Sequence, residues 1–281
     1  MSELLSKARE ICRLFEIKPA RSKGQNFLIN EKIYDDIVAA ANLQPDDTVL
    51  EVGPGLGFLT AKLAKKVKKV IAVELDDRLA NYLQMGIDSQ DLDNIQIVNE
   101  DILRFNLDNY VSPSQDYKVV ANLPYNITSI FLRQFLSMRH KPSSLVLMLQ
   151  KEVAERIIAE PPDMSLLAVS VQYYAEPVII RTVKSGNFWP EPEVDSAIIR
   201  LSLRSRSYSQ ADDKVFFRIA KTAFSAKRKM MKNNLAAGLK IAPKAITDVL
   251  ITEGFDPKAR AEELSLDDWL RLVAALRPFV V

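Results

Sequence analysis

The chain has 281 residues, 48% of them apolar, with 38 Lys and Arg against 36 Asp and Glu, one Cys and one His. That is enough to bury one large domain and a smaller second one, and the charge is too balanced for a protein that is basic or acidic throughout. Lone Cys12 excludes an internal disulfide and makes no zinc cluster with His140, and no apolar run nears the roughly 20 residues of a membrane span, so a cytoplasmic protein with no metal and no membrane is expected.

The first 20 residues mix acids and bases and read as neither an export signal nor an anchor. Lys18, Arg21 and Lys23 form a loose basic group just before Phe27-Leu28-Ile29. The apolar run Thr48-Val49-Leu50 then leads into Glu51-Val52-Gly53-Pro54-Gly55-Leu56-Gly57, which holds three of the chain's eight glycines, and an amphipathic segment follows from Phe58 to Leu63. Glycine adopts backbone angles closed to other residues and leaves no Cβ in a ligand's way, so Gly53 and Gly55 let backbone N–H groups approach a small molecule. Such a strand-to-helix turn marks the ligand end of a Rossmann-like sheet, in NAD enzymes, FAD enzymes and methyltransferases alike.

Further strands are expected at about 70–74, 95–99, 118–121, 144–150, 177–183 and 197–203, after a first at 48–52. Helical patterns between the early ones argue for a parallel α/β sheet, with the last two strands as an antiparallel addition. The polar stretch Ser202 to Asp213 precedes a purely helical pattern, which divides the chain into residues 1–204 and a small helical domain, 205–281.

Glu74 ends the second strand about 20 residues past the glycines, where a carboxylate can accept from both hydroxyls of a ribose; the alternative is a solvated acid beside Asp76 and Asp77. Asp101 suits an adenine amino group, or else a helix cap. After the fourth strand comes Asn122-Leu123-Pro124-Tyr125. An adenine exocyclic amine is a poor nucleophile because its lone pair is delocalised into the ring. The Asn122 side-chain oxygen and a carbonyl of the Leu123-Pro124 turn can take its two N–H groups and aim the lone pair at an electrophilic methyl. Pro124 fixes the turn and Tyr125 offers a flat face to a base.

Five stretches in order carry a resemblance: Gly24-Gln25-Asn26-Phe27-Leu28, Glu51 to Gly57, Val73-Glu74-Leu75-Asp76, Asn122-Leu123-Pro124-Tyr125-Asn126-Ile127, and Phe188-Trp189-Pro190-Glu191-Pro192-Glu193-Val194-Asp195-Ser196-Ala197. The chain resembles, over essentially its whole length, the small-subunit ribosomal RNA adenine N6,N6-dimethyltransferases. The resemblance implies a class I S-adenosylmethionine-dependent methyltransferase fold, with the donor held by Asn26, Leu28, Gly53, Gly55, Glu74, Asp101 and Asn122. It implies as substrate two adjacent adenosines in the hairpin near the 3′ end of small-subunit rRNA, each receiving two methyls. The partner would be the small ribosomal subunit or its rRNA, bound by a monomer, with a further part in subunit biogenesis.

Phe188 is expected at the mouth of an aromatic, proline-rich loop, where it could sandwich a flipped base against Tyr125; it could equally plug the sheet end. Between Lys214 and Thr247 there is no acid, and Phe217, Ala220, Phe224, Met231 and Leu235 form an apolar helical stripe with bases alongside. Lys221, Lys227, Arg228, Lys229 and Lys232 are the RNA contacts expected there. The alternatives are a large-subunit adenine methyltransferase, an NAD-dependent oxidoreductase and a non-catalytic assembly factor. The oxidoreductase is disfavoured because the glycines lack its usual third spacing.

Overall fold

The structure, a computed structural model, describes residues 3–19, 25–90, 92–205 and 210–280. Arg21, Lys23 and Gly24 lie outside the described residues. The chain forms two compact units: Met1–Ala154 with Glu176–Leu203, and Glu155–Ala175 with Arg204–Val281. Residues 155–175 fall before the boundary at 204 in sequence, yet they pack in the second unit.

The first unit begins with α1 (Glu3–Leu14), the two-residue strand β1 (Phe27–Leu28) and α2 (Glu31–Ala40). Asn30 starts α2 by accepting from Lys32 N, which satisfies one of the donors that a helix N-terminus leaves over. Strand and helix then alternate through β2 (Thr48–Val52), α3 (Phe58–Ala64), β3 (Lys69–Glu74), α4 (Asp77–Gln90) and β4 (Ile95–Asn99). The alternation continues with β5 (Lys118–Asn122), α5 (Thr128–Ser137), β6 (Ser144–Gln150) and α6 (Lys151–Ile157). After α7 (Leu166–Tyr174) come β7 (Ala175–Val183), β8 (Phe188–Trp189) and β9 (Ser196–Leu203).

Among the described residues, seven strands form one sheet in the order β4-β3-β2-β5-β6-β9-β7. β2 pairs in parallel with β3 and β5, β3 with β4, and β5 with β6, whereas β9 runs antiparallel to β6. Val49, Leu50, Val70, Ile71, Val119 and Val120 are wholly buried, as strands covered on both faces require. The chain runs outward from β2 through β3 and β4, then returns to β5 on the other side of β2. That reversal opens a crevice beyond the carboxyl ends of β2 and β5.

A second, two-stranded ribbon joins β1 to β8, with Phe27 opposite Trp189 and Leu28 opposite Phe188. Two-residue strands carry no periodicity, and nothing in the residue pattern marks them.

The second unit contains α8 (Gln210–Ala223), α9 (Met231–Leu239), α10 (Pro243–Thr252) and α11 (Leu266–Leu276). α7 belongs with them: Tyr173 stacks on Phe216 at 4.0 Å, and the Tyr173 and Tyr174 hydroxyls donate to the two oxygens of Asp213, at 3.0 and 2.9 Å. Trp269 of α11 is wholly buried and stacks on Phe224.

Candidate active site

The turn after β2 depends on its glycines. Gly53, Gly55 and Gly57 have φ of +65°, +59° and +76°. A Cβ at Gly55 would stand 3.3 Å from the Phe27 ring, and one at Gly57 only 2.6 Å from a Leu83 methyl, so neither position accepts a larger residue without displacement. A Cβ at Gly53 would stand 3.7 Å from Pro124 Cδ and 3.9 Å from the Asn122 carbonyl oxygen. The glycine turn and the Asn122 turn therefore meet.

A cavity of about 210 Å³ opens where they meet. Asn26, Leu28, Gly53, Gly55, Glu74, Asp101 and Asn122 all stand in its wall, together with Pro124. Leu123, Tyr125 and Phe188 do not. Gln25, Phe27, Glu51, Leu75 and Ile102 complete part of the wall, and their residue types alone do not mark them as binding groups. Glu51 had a signal, being the one acid in the apolar strand Thr48–Val52.

Glu74 is 6% exposed and is held by two backbone donors, Gly55 N at 3.0 Å and Asp76 N at 2.9 Å. Burial raises its carboxyl above the ordinary range, and those two N–H groups oppose the rise. Glu51 is 1% exposed, and its Oε2 has no partner. Burial, reinforced by the Glu74 charge, pushes its carboxyl up to about 8. A carboxyl raised this way favours the fold fully below its unfolded value, near 4.5, and that contribution is lost as pH climbs through about 8. Glu51→Gln should therefore flatten the fall in thermal midpoint between about pH 5 and pH 9. Thermal unfolding at fixed ionic strength checks this; an unchanged pH slope would mean that Glu51 titrates normally.

Asp101 is a wall residue that also closes a turn, its Oδ1 accepting from Leu103 N at 2.9 Å, and no helix begins there for it to cap. Asn122 ends β5 and donates weakly from Nδ2 to the Asn26 carbonyl, at 3.4 Å, which leaves its side-chain oxygen for another donor. Leu123 is buried and donates its N–H to Met148 O at 3.2 Å. The Pro124 carbonyl already accepts from Ile127 N at 3.2 Å.

Tyr125 is half-buried beside this turn, and its hydroxyl lies 2.7 Å from Ser196 Oγ. Phe188 differs from expectation. Rather than standing at a loop mouth, it is 3% exposed and packs in the main core with Leu28 and Tyr34. Its pairing opposite Leu28 draws it inward, and the partly buried Trp189, under the Arg9 guanidinium, takes the outer place. His140 binds Gln115 O through Nε2 at 2.8 Å, and Cys12 is buried in a small core with Phe27 and Leu79. Among the described residues no group of three or more His, Cys, Asp and Glu could hold a metal ion, and no helix is long and apolar enough to cross a membrane.

In the second unit the basic stretch does not form one helix. α8 ends at Ala223 and α9 begins at Met231, so Lys227, Arg228 and Lys229 lie in the turn between Lys221 and Lys232. Asn234 fixes the break by donating to the carbonyls of Ala223, at 2.7 Å, and Ala226, at 3.1 Å. Ala220, Met231 and Leu235 are wholly buried as the stripe requires, but Phe216 is buried in place of Phe217. Lys221, Lys227, Arg228 and Lys229 are exposed and Lys232 is half-buried. None of the five pairs with an acid among the described residues.

The family model described as ribosomal RNA adenine dimethylase matches residues 18–277. A ribosomal RNA small subunit methyltransferase A of Dehalococcoides mccartyi (strain CBDB1) is 43% identical over 270 residues, covering 96% of this chain and 92% of that protein. The protein of the same name from Clostridium acetobutylicum is 36% identical, with 94% and 96% covered. Among solved structures, a dimethyladenosine transferase from Plasmodium falciparum superposes with a TM-score of 0.76 at 27% identity, over 90% of this chain and 98% of that one. The 23S rRNA methyltransferase ErmE gives 0.73 at 28% identity, over 90% and 100%.

Proposed function

The chain belongs to the ribosomal RNA adenine dimethylase family, and on that premise we propose that it transfers methyl groups from S-adenosylmethionine to N6 of two adjacent adenosines in the 3′-terminal hairpin of small-subunit rRNA, giving N6,N6-dimethyladenosines. The observation that carries this is the junction of the two turns: a Cβ at Gly53 would stand within 4 Å of Pro124 and the Asn122 carbonyl oxygen. A donor cradled by the glycines is thereby brought next to an amine held at Asn122.

The residues present fit such a donor. Gly55 leaves a space that any Cβ would narrow, and each Glu74 oxygen, bonded to one backbone N–H, keeps a lone pair for a ribose hydroxyl. Asp101 would take the adenine amino group, with Asn26 and Leu28 in the same cavity wall. When bound, S-adenosylmethionine supplies an electrophilic methyl. On the acceptor side, Asn122 Oδ1 and a backbone carbonyl of the Leu123-Pro124 turn take the two N–H groups of the target amine. Their task is orientation. A neutral amide suffices, since the methylated amine is acidic enough to lose its proton readily. Tyr125 supplies the stacking face for the base. Phe188 lies in the core and would have to leave it to touch the base itself.

The small subunit is favoured over the large because the small-subunit relatives are more similar in sequence than the large-subunit neighbour. We assign the protein to the cytoplasm as a monomer that acts on the small subunit during its biogenesis. Transfer of tritium from labelled donor to unmethylated small subunits, large subunits, free rRNA and DNA, followed by nucleoside analysis, tests this. Dimethyladenosine from small subunits is expected. Label confined to large subunits would reassign the substrate, and no transfer at all would leave an assembly factor.

The second unit would hold RNA backbone through Lys221, Lys227, Arg228, Lys229 and Lys232. Arg228→Glu with Lys232→Glu should weaken small-subunit binding and lower the salt slope by about one unit for each phosphate no longer neutralised, with donor affinity unchanged. Filter binding across a salt series decides this: undiminished affinity at the same slope would leave the surface to solvent and point to the Lys18 group.

A further inference from the structure

Ser196 is wholly buried at the start of β9, opposite Gln150 of β6 and just before the apolar run Ala197 to Ile199. A hydroxyl in such a place is unfavourable unless it is hydrogen-bonded. Its partner is the Tyr125 hydroxyl, 2.7 Å away and 71 residues distant in sequence. The wholly buried Ser196 hydroxyl could not replace that hydrogen bond from solvent without moving.

Ser196 is itself held firmly. The preceding residue, Asp195, accepts from Lys184 Nζ at 2.8 Å and Ser185 N at 3.1 Å through its side chain, and from Lys151 N at 2.9 Å through its carbonyl. The backbone that carries Ser196 is therefore anchored, and the Tyr125 ring is tied to its hydroxyl by the far end. Its near end is tied too. Tyr125 follows Pro124, whose ring restricts the backbone and whose carbonyl closes the turn onto Ile127 N. Burial keeps the phenol neutral by raising it above its ordinary range, with the Ser196 bond opposing the rise.

We propose that Ser196 is a positioning residue for methyl transfer, whose buried hydroxyl sets where the Tyr125 ring stands and hence where the target adenine is presented beside Asn122. This rests on Tyr125 being the stacking face. An aromatic side chain fixed only at its Cβ swings about its first torsion and carries the whole ring with it, and an error of about 1 Å at a reacting atom can lower a rate as much as 100-fold. A ring pinned at both ends is aligned before the base arrives.

Tyr125→Phe and Ser196→Ala each delete one half of the bond and keep the ring. Each should lower kcat for unmethylated small subunits by about tenfold while KM stays within about twofold, the pattern of an interaction that orients rather than binds. Calorimetric donor affinity should be unchanged in both. The double variant should be no slower than either single one, since both remove the same bond. Ser196→Thr, which keeps a hydroxyl, should recover most of the rate. Wild-type kcat in Tyr125→Phe and Ser196→Ala, alongside a defective Tyr125→Ala, would overturn the role of Ser196 while sparing that of the ring. A normal Tyr125→Ala would remove the stacking face as well. Additive losses in the double variant would show the two hydroxyls acting independently and overturn the shared bond, and a lower thermal midpoint with kcat intact would mark that bond as purely structural.

Discussion

Replacing Asn122 by alanine is expected to slow methyl transfer about 100-fold or more while donor and RNA affinity change little, the scale seen when a positioned polar group is removed from a transition state. The side chain stands in the cavity wall at the end of β5, and its Nδ2 is turned to the Asn26 carbonyl. Its oxygen is thus directed for use as an acceptor. Alanine removes that acceptor and leaves the backbone of β5, its pairing with β6 and the buried Leu123 in place. Single-turnover transfer, with donor titration in parallel, measures the effect. A rate within a few-fold of the unaltered chain would remove Asn122 from the chemistry.

Gly55→Val should abolish donor binding. At φ +59° a β-branched residue is strained by roughly 1–2 kcal/mol from the backbone alone. Its Cβ would also meet the Phe27 ring at 3.3 Å, and Phe27 has little room to retreat, being paired to Trp189 and buried with Leu56 and Leu79. Relief would have to come from the turn, which would pull Gly55 N off the Glu74 carboxylate and disturb the group expected to hold the ribose. Calorimetry on the folded variant is the measurement, with circular dichroism to establish the fold. Near-normal donor affinity would place the donor elsewhere.

The seven-stranded sheet was legible because each central strand is a short apolar run between turn signals, and Thr48–Val52 and Ser144–Gln150 stand where their residues put them. The cavity wall was legible for a related reason. Gly53, Gly55, Glu74, Asp101 and Asn122 each end a strand or follow one closely, so sequence position alone sends them to the carboxyl edge. Pairings made across the chain left no such trace. Phe188 reads as a loop aromatic until Leu28, 160 residues earlier, pairs with it and draws it into the core. The break at 224–230 is set by Asn234, whose side chain caps a helix that ends 11 residues before it. Glu51 looked like part of a glycine motif, and its burial without a partner for Oε2 follows only from the strands packed on either side of β2.

The excursion of residues 155–175 into the second unit bears on how the protein can be divided. A gene cut at codon 204 would encode the apolar helix Leu166–Tyr174 without Phe216 and Asp213, the groups that stack on Tyr173 and satisfy both tyrosine hydroxyls. The fragment would carry a sticky, unsatisfied helix and should aggregate. Swapping the second unit between relatives is subject to the same topology: the exchange requires junctions after Ala154, Ala175 and Leu203. During synthesis, too, Leu166–Tyr174 emerges before any of its α8 partners, so the first unit can complete itself only around a loop that waits for the C-terminal helices to arrive.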